Sequence, residues 1–101
     1  MSSGEKQEKS EQPQKLDLYV IARILIVLKE KGSQNRTNLA TFTGLAYDKL
    51  VRYISWMNDK ELIFSDSEGN LSLTEKGSQS YDELVDWIMR YIGKVRFPKI
   101  P

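Results

Sequence analysis

The chain has 101 residues, 40% of them hydrophobic, with 15 basic and 14 acidic side chains and a net charge of +1. That is enough for one domain with one modest core, and its charge balance is far from that of a protein that coats DNA over its whole surface. Cysteine and histidine are both absent, which excludes a disulfide framework, a zinc finger, thiolate chemistry and an imidazole base.

No stretch reaches the ~18 apolar residues of a membrane span. The opening MSSGEKQEKSEQPQK lacks the apolar centre of a secretory signal. The expectation is a cytoplasmic, nucleoid-associated protein with no membrane partner. Residues 1–14 form a polar tail in which Glu5, Glu8 and Glu11 balance Lys6, Lys9 and, at the boundary, Lys15. Such a composition buries too little apolar surface to offset the entropy of ordering, so it is expected as disordered. The alternative, an arm reaching DNA, is opposed by its zero net charge.

Residues 16–31 are the first expected helix. Ile21, Ile24, Leu25 and Leu28 recur at helical spacing, Lys29 and Lys31 fall in the last turn, and Gly32 follows as a stop. The Ile and Val content also fits a buried strand; length and end signals favour helix. Val20, Ile26 and Val27 lie outside the main stripe and call for a second covering surface, such as part of a subunit interface.

Residues 35–43 form a short second helix, with Asn35 as its cap and Leu39 and Phe42 inward. Thr43-Gly44-Leu45 is a tight turn, for which Gly44 supplies the permissive backbone. A third helix spans residues 46–59 (its end falls at 58 or 59). Leu50, Ile54 and Met57 define its buried stripe, flanked by Ala46 and Tyr53; Asp48, Arg52, Ser55 and Asp59 point nearly opposite, with Lys49 and Trp56 beside them. This is the layout of a helix-turn-helix.

Leu62-Ile63-Phe64 and Leu71-Ser72-Leu73 read as two strands around the turn formers Asp66-Ser67-Glu68-Gly69-Asn70, which makes a wing. Thr74 caps the last helix, with Glu75 in its first turn; the helix runs to about Ile92 and stops at Gly93. Residues 94–101 are a tail, where Pro98 and Pro101 rule out helix. The fold class is therefore α+β, mostly α: a winged helix-turn-helix over residues 15–77, with a three-helix core and a two-stranded wing, followed by a C-terminal dimerisation helix at 78–93.

Gly32, Arg36-Thr37-Asn38-Leu39, Leu45-Ala46-Tyr47, Leu50, Tyr53-Ile54, Met57 and Leu62-Ile63 stand in an order and spacing that resembles the archaeal winged-helix regulators of the small, dimeric, chromatin-associated kind. Leu73-Thr74-Glu75-Lys76-Gly77 looks like the wing-to-helix signature of that group and of many bacterial and archaeal winged-helix repressors. The likeness covers roughly residues 18–92. It implies a homodimer joined through the C-terminal helix that binds double-stranded DNA without a cofactor. Chromatin proteins of this kind are more basic and carry a longer coiled coil, so the departure favours a regulator with a smaller contact surface.

Three constellations follow. At the start of the second helix, Arg36, Thr37 and Asn38 offer backbone N–H groups and a charge to a phosphate; an ordinary capped helix is the alternative. On the third helix, Arg52 suits guanine and Lys49 a phosphate or a base. Asp48 suits cytosine, Tyr47 the backbone or a thymine methyl, and Ser55 shares the face. A mixed-charge solvated face is the alternative there. Trp56 is read as packing rather than contact. Asp66 and Glu68 at the wing tip disfavour a groove contact, since wings that enter a minor groove offer Arg or Lys. On the last helix, Tyr81, Leu84, Val85, Ile88, Tyr91 and Ile92 recur like a helix–helix seam, widened by Trp87 and Met89. A dimer built on it would set the reading helices ~34 Å apart; the alternative is a helix folded back onto the first.

The sequence thus predicts a sequence-preferring duplex-DNA regulator, homodimeric, with no metal, no cofactor and no small-molecule ligand. The rival is a winged-helix protein-interaction module in a transcription or membrane-remodelling assembly. An enzyme is disfavoured, because Asp59, Glu61 and Asp66 are more simply solubilising charges than a convergent acid–base set.

Overall fold

The computed structural model describes residues 16–93. The polar tail and the residues after Gly93 lie outside the described part. The elements run α1 (Leu18–Lys31), α2 (Arg36–Thr43), α3 (Tyr47–Asp59), β1 (Ile63–Ser65), β2 (Leu71–Leu73) and α4 (Glu75–Tyr91). Four helices and a two-stranded antiparallel sheet make a mostly helical α+β domain, as the sequence predicts.

Helix α1 starts two residues later than its periodicity suggested. The Asp17 carboxylate accepts from the Tyr19 N–H at 2.9 Å and caps it. Its end is closed by Gly32, whose N–H donates to the Leu28 carbonyl at 3.1 Å with φ at +82°. Every residue from Val20 to Leu28 except Arg23 is buried. This corrects the expectation that Val20, Ile26 and Val27 form a spare flank for a partner. The helix runs through the middle of the domain and its own chain covers it on nearly all sides.

The core joins α1 to Leu39 of α2, to Leu50, Tyr53, Ile54 and Met57 of α3, and to Leu62, Ile63 and Leu71 of the wing. Phe42, Leu45 and Trp56 pack against its margin, so Trp56 does pack, as its flank position predicts. Ala46 instead precedes α3 as its N-cap and is exposed.

The sheet pairs Ile63 with Leu73, Phe64 with Ser72 and Ser65 with Leu71. The first strand begins one residue later than expected, because Leu62 is used to close α3, its N–H donating to the Met57 carbonyl at 2.9 Å. A further bridge escaped the sequence reading. Gln34 and Leu71 exchange both backbone hydrogen bonds, at 3.0 and 2.7 Å, so the α1–α2 connection serves as a third edge of the wing.

At the wing tip one Asp66 carboxylate oxygen accepts from the Glu68 and Asn70 N–H groups, each at 2.9 Å. The Asn70 N–H chiefly, with that of Glu68, holds the Asp66 carboxyl below its ordinary value. The acid at the tip is therefore a brace for the turn.

Thr74 caps α4 as predicted, accepting from the Gly77 N–H at 2.9 Å and donating to the Glu61 carbonyl at 2.6 Å. Gly77 is buried, and a Cβ built there would run into the Leu62 backbone carbonyl. Only glycine lets the first turn of α4 lie this close to the base of the wing.

The first half of α4 packs on α1. Lys29 donates to the Ser78 hydroxyl at 2.7 Å and sits over the Tyr81 ring at 5.8 Å. Tyr81 and Leu84 are half-buried against the core. Burial, then the charges of Glu30 and Asp82, push the Tyr81 hydroxyl above its ordinary value, so it stays neutral in this setting.

Candidate nucleic-acid interface

The surface opposite the core stripe of α3 is set by helical geometry. Leu50, Tyr53, Ile54 and Met57 face inward and are buried. Residues offset by half a turn then have to face outward. Tyr47, Asp48, Lys49, Arg52 and Ser55 are all exposed; Asp48, Arg52 and Ser55 line the outward ridge, with Tyr47 and Lys49 on its two flanks. Val51, which the sequence reading left aside, is exposed on the same side.

Asp48 and Arg52 approach to 3.8 Å, with side chains 80% and 51% exposed. An exposed pair of this kind, at i and i+4, contributes about 0–1 kcal/mol. It leaves the guanidinium free to exchange Asp48 for a phosphate or a base edge. Asp48 also sits in the first turn of α3, where a negative charge complements the helix dipole.

Arg36, Thr37 and Asn38 form the first turn of α2. Arg36 is half-buried; Thr37 and Asn38 are exposed. The Asn35 side chain accepts from the Asn38 N–H at 2.7 Å, so one donor of this turn is committed to the cap. The Thr37 carbonyl accepts from the Thr41 hydroxyl at 3.1 Å, which ties that residue's backbone into the helix. An anion here would meet the Arg36 side chain and the dipole of the helix end.

Between the two helices, Gly44 takes a left-handed conformation at φ +75° and ψ 19°. Thr43 is buried. Arg23, from α1, reaches across and donates through Nη2 to the Thr43 carbonyl. In the sequence, Arg23 interrupts the apolar run from Leu18 to Leu28. That break was the available signal: one charge amid eight buried residues needs a partner inside the fold.

The wing carries a second residue that the sequence reading passed over. Phe64 is exposed on β1, between buried Ile63 and the acidic tip. Its alternation with Ile63 follows the period of a strand.

The six residues expected at a helix–helix seam separate along α4. Tyr81 and Leu84 lie against their own core; Val85 and Ile88 are half-buried; Tyr91 and Ile92 are exposed by 67% and 65%. Trp87 and Met89 join the exposed end, and the Trp87 and Tyr91 rings stand 5.2 Å apart. No cluster of three or more acidic side chains that could hold a metal occurs among the described residues. No described helix is long and apolar enough to cross a membrane.

Solved structures share the fold, among them two transcription regulators. The MarR family transcriptional regulator SPO1453 from Silicibacter pomeroyi DSS-3 superposes with a TM-score of 0.63 at 19% identity, covering 71% of this chain and 54% of that one. The transcriptional repressor CouR, bound to p-coumaroyl-CoA, superposes with a TM-score of 0.55 at 23% identity, covering 72% of this chain and 59% of that one. The chain thus spans a little over half the length of each. No curated protein matches it. A match to the family described as Winged helix-turn-helix runs over residues 16–90, from the start of α1 almost to the end of α4. The chain belongs to the winged helix-turn-helix family.

Proposed function

We propose that the chain is a transcription regulator that binds double-stranded DNA, with α3 in the major groove. The observation that carries this reading is the outward ridge of α3, where Lys49 and Arg52 stand exposed over a fully buried stripe. Phosphate contacts at Arg36, Thr37 and Asn38 supply position and affinity, and α3 supplies sequence preference. Tyr47, Asp48 and Ser55 lie where they meet base edges or the adjoining backbone. The wing contributes little, because Asp66 and Glu68 repel phosphate at its tip.

The active species in this reading is a homodimer. Trp87, Met89, Tyr91 and Ile92 support it, because a second α4 end would cover apolar surface that is exposed among the described residues. The finer likeness to archaeal dimeric regulators points the same way. Sedimentation that shows one copy at micromolar concentration removes this part of the reading.

The test of DNA binding is a salt titration with duplex selected from a random pool. Arg36→Ala is expected to weaken binding on all sequences and to flatten the salt dependence by ~0.9 log unit. Arg52→Ala is expected to cost ~1–3 kcal/mol at one base position. If both variants bind like the parent, α3 and the α2 terminus are not the contact surface.

A protein-interaction role is the second reading, and the braced acidic wing favours it. The absence of any mobility shift with mixed duplex at low salt and micromolar protein would decide for it.

A further inference from the structure

Arg23 is the one charged residue between Val20 and Leu28, and it is half-buried. What it does follows from the way α2 ends. The Leu45 N–H donates to the Ala40 carbonyl at 3.1 Å and the Gly44 N–H to the Thr41 carbonyl at 3.3 Å, the paired bonds of a Schellman motif. The Thr43 hydroxyl donates to the Leu39 carbonyl at 2.7 Å. These bonds satisfy the carbonyls of Leu39, Ala40 and Thr41. The Thr43 carbonyl points beyond the last turn, and it is the one Arg23 takes.

A cation at a helix C-terminus also complements the dipole. The guanidinium sits between an aromatic ring and the turn. The Tyr19 ring lies 5.7 Å from its carbon, and the missing side chain of Gly44 leaves the space it occupies, since a Cβ there would stand 2.9 Å from Nη2. A second tether runs from α1 to the other arm of the corner. The Asp17 N–H donates to the hydroxyl of Tyr53, a buried residue of α3, at 2.9 Å. Helix α1 therefore holds the corner on both sides, and Arg23 is the hold nearest the turn.

We propose that Arg23 is a positioning residue for DNA recognition: through the Thr43 carbonyl it fixes the angle at which α3 presents Lys49 and Arg52. This rests on the DNA-binding reading above. The charge of Arg23 is used inside the protein, so its loss should alter selectivity and leave the count of phosphate contacts unchanged. A surface arginine of the same charge would do the reverse.

The experiment compares the parent chain with Arg23→Met, which keeps the apolar stem, and Arg23→Lys, which keeps the charge. Affinity is measured for a duplex enriched from a random pool and for a scrambled duplex, each over a range of salt. Arg23→Met is expected to keep the helical circular dichroism and lose about tenfold in discrimination, the scale of one charge-assisted hydrogen bond, with an unchanged salt slope. Arg23→Lys is expected to restore part of the loss. Unchanged discrimination overturns the proposal. So does a salt slope reduced by ~0.9, which would make Arg23 a phosphate contact.

Amide exchange in the free protein gives a second readout that needs no DNA. The Gly44 and Leu45 amides are expected to exchange about tenfold faster in Arg23→Met, while those of Glu68 and Asn70 in the wing stay as in the parent. Equal rates at Gly44 and Leu45 overturn the positioning role. If the parent chain binds no duplex at all, the DNA reading fails, and the exchange rates still decide whether Arg23 holds the corner. Should Arg23→Met not fold, Arg23→Lys carries both measurements.

Discussion

The corner between α2 and α3 and the tip of the wing are both tight turns with a left-handed glycine, Gly44 at φ +75° and Gly69 at φ +86°. They differ in what holds them beyond their own backbone. The wing turn is closed by Asp66, whose carboxylate takes two N–H groups within four residues of itself. The corner has the local bonds of its Schellman motif and, in addition, a hold from Arg23, which is 20 residues away in sequence and arrives only when α1 has packed. A turn braced by its own residues keeps its shape whenever its ends are in place. A turn braced from a distance has a geometry that depends on the whole core, and so does any surface it carries. The candidate recognition ridge sits on the second kind.

The strongest challenge to this contrast comes from the joint between the wing and α4. Gly77→Ala places a methyl group into the Leu62 backbone carbonyl, which cannot rotate away. The expected cost is roughly 3 kcal/mol, read as a fall in the denaturation midpoint. Stability like that of the parent would mean that the wing base and α4 are not in this contact. The two glycines then allow a matched comparison. Gly44→Ala and Gly69→Ala both impose a left-handed conformation on an L-residue, at ~1–2 kcal/mol. Only the first also presses on Arg23, since nothing lies within 4 Å of a Cβ at Gly69. Gly44→Ala should therefore destabilise more and should reduce duplex selectivity, while Gly69→Ala leaves selectivity alone. Equal effects in melting and in binding would break the distinction between the two turns.

The smallest effect is a local one. Asp66 has a carboxyl held below its ordinary value in the fold, so its bracing is fully present above the unfolded value and is lost as pH falls through the lower, folded value. Exchange at the Glu68 and Asn70 amides should rise in that acid window in the parent. In Asp66→Asn it should already be raised at neutral pH and show no further step there. The Gly44 amide should ignore this titration. A common acid response at both turns would show that they open together.

Much of the fold was legible because its signals are local. Asn35, Thr74 and Gly32 each act within four residues of their own position, through caps and stops that the backbone demands at any helix end. The α3 ridge was legible for a related reason: once Leu50, Ile54 and Met57 are inside, helical periodicity sends Arg52 and Ser55 out. The bridge between Gln34 and Leu71 was not legible, because a single pair of backbone bonds leaves no pattern in side chains. Nor was the need for glycine at 77, which arises from a backbone 15 residues away.

The sequence by itself determined the order of elements, the caps of α2 and α4 and the stop of α1, the buried stripe of α3 and the residues that face away from it. Each follows from the period of a helix or strand and from bonds spanning a few residues. Tertiary structure alone decided that Val20, Ile26 and Val27 are covered by their own chain, that Tyr81 and Leu84 lie on α1 while Tyr91 and Ile92 do not, and that Arg23 ends at Thr43. The physical reason is that burial and long-range hydrogen bonds depend on where two distant helices cross, and no single segment contains that distance.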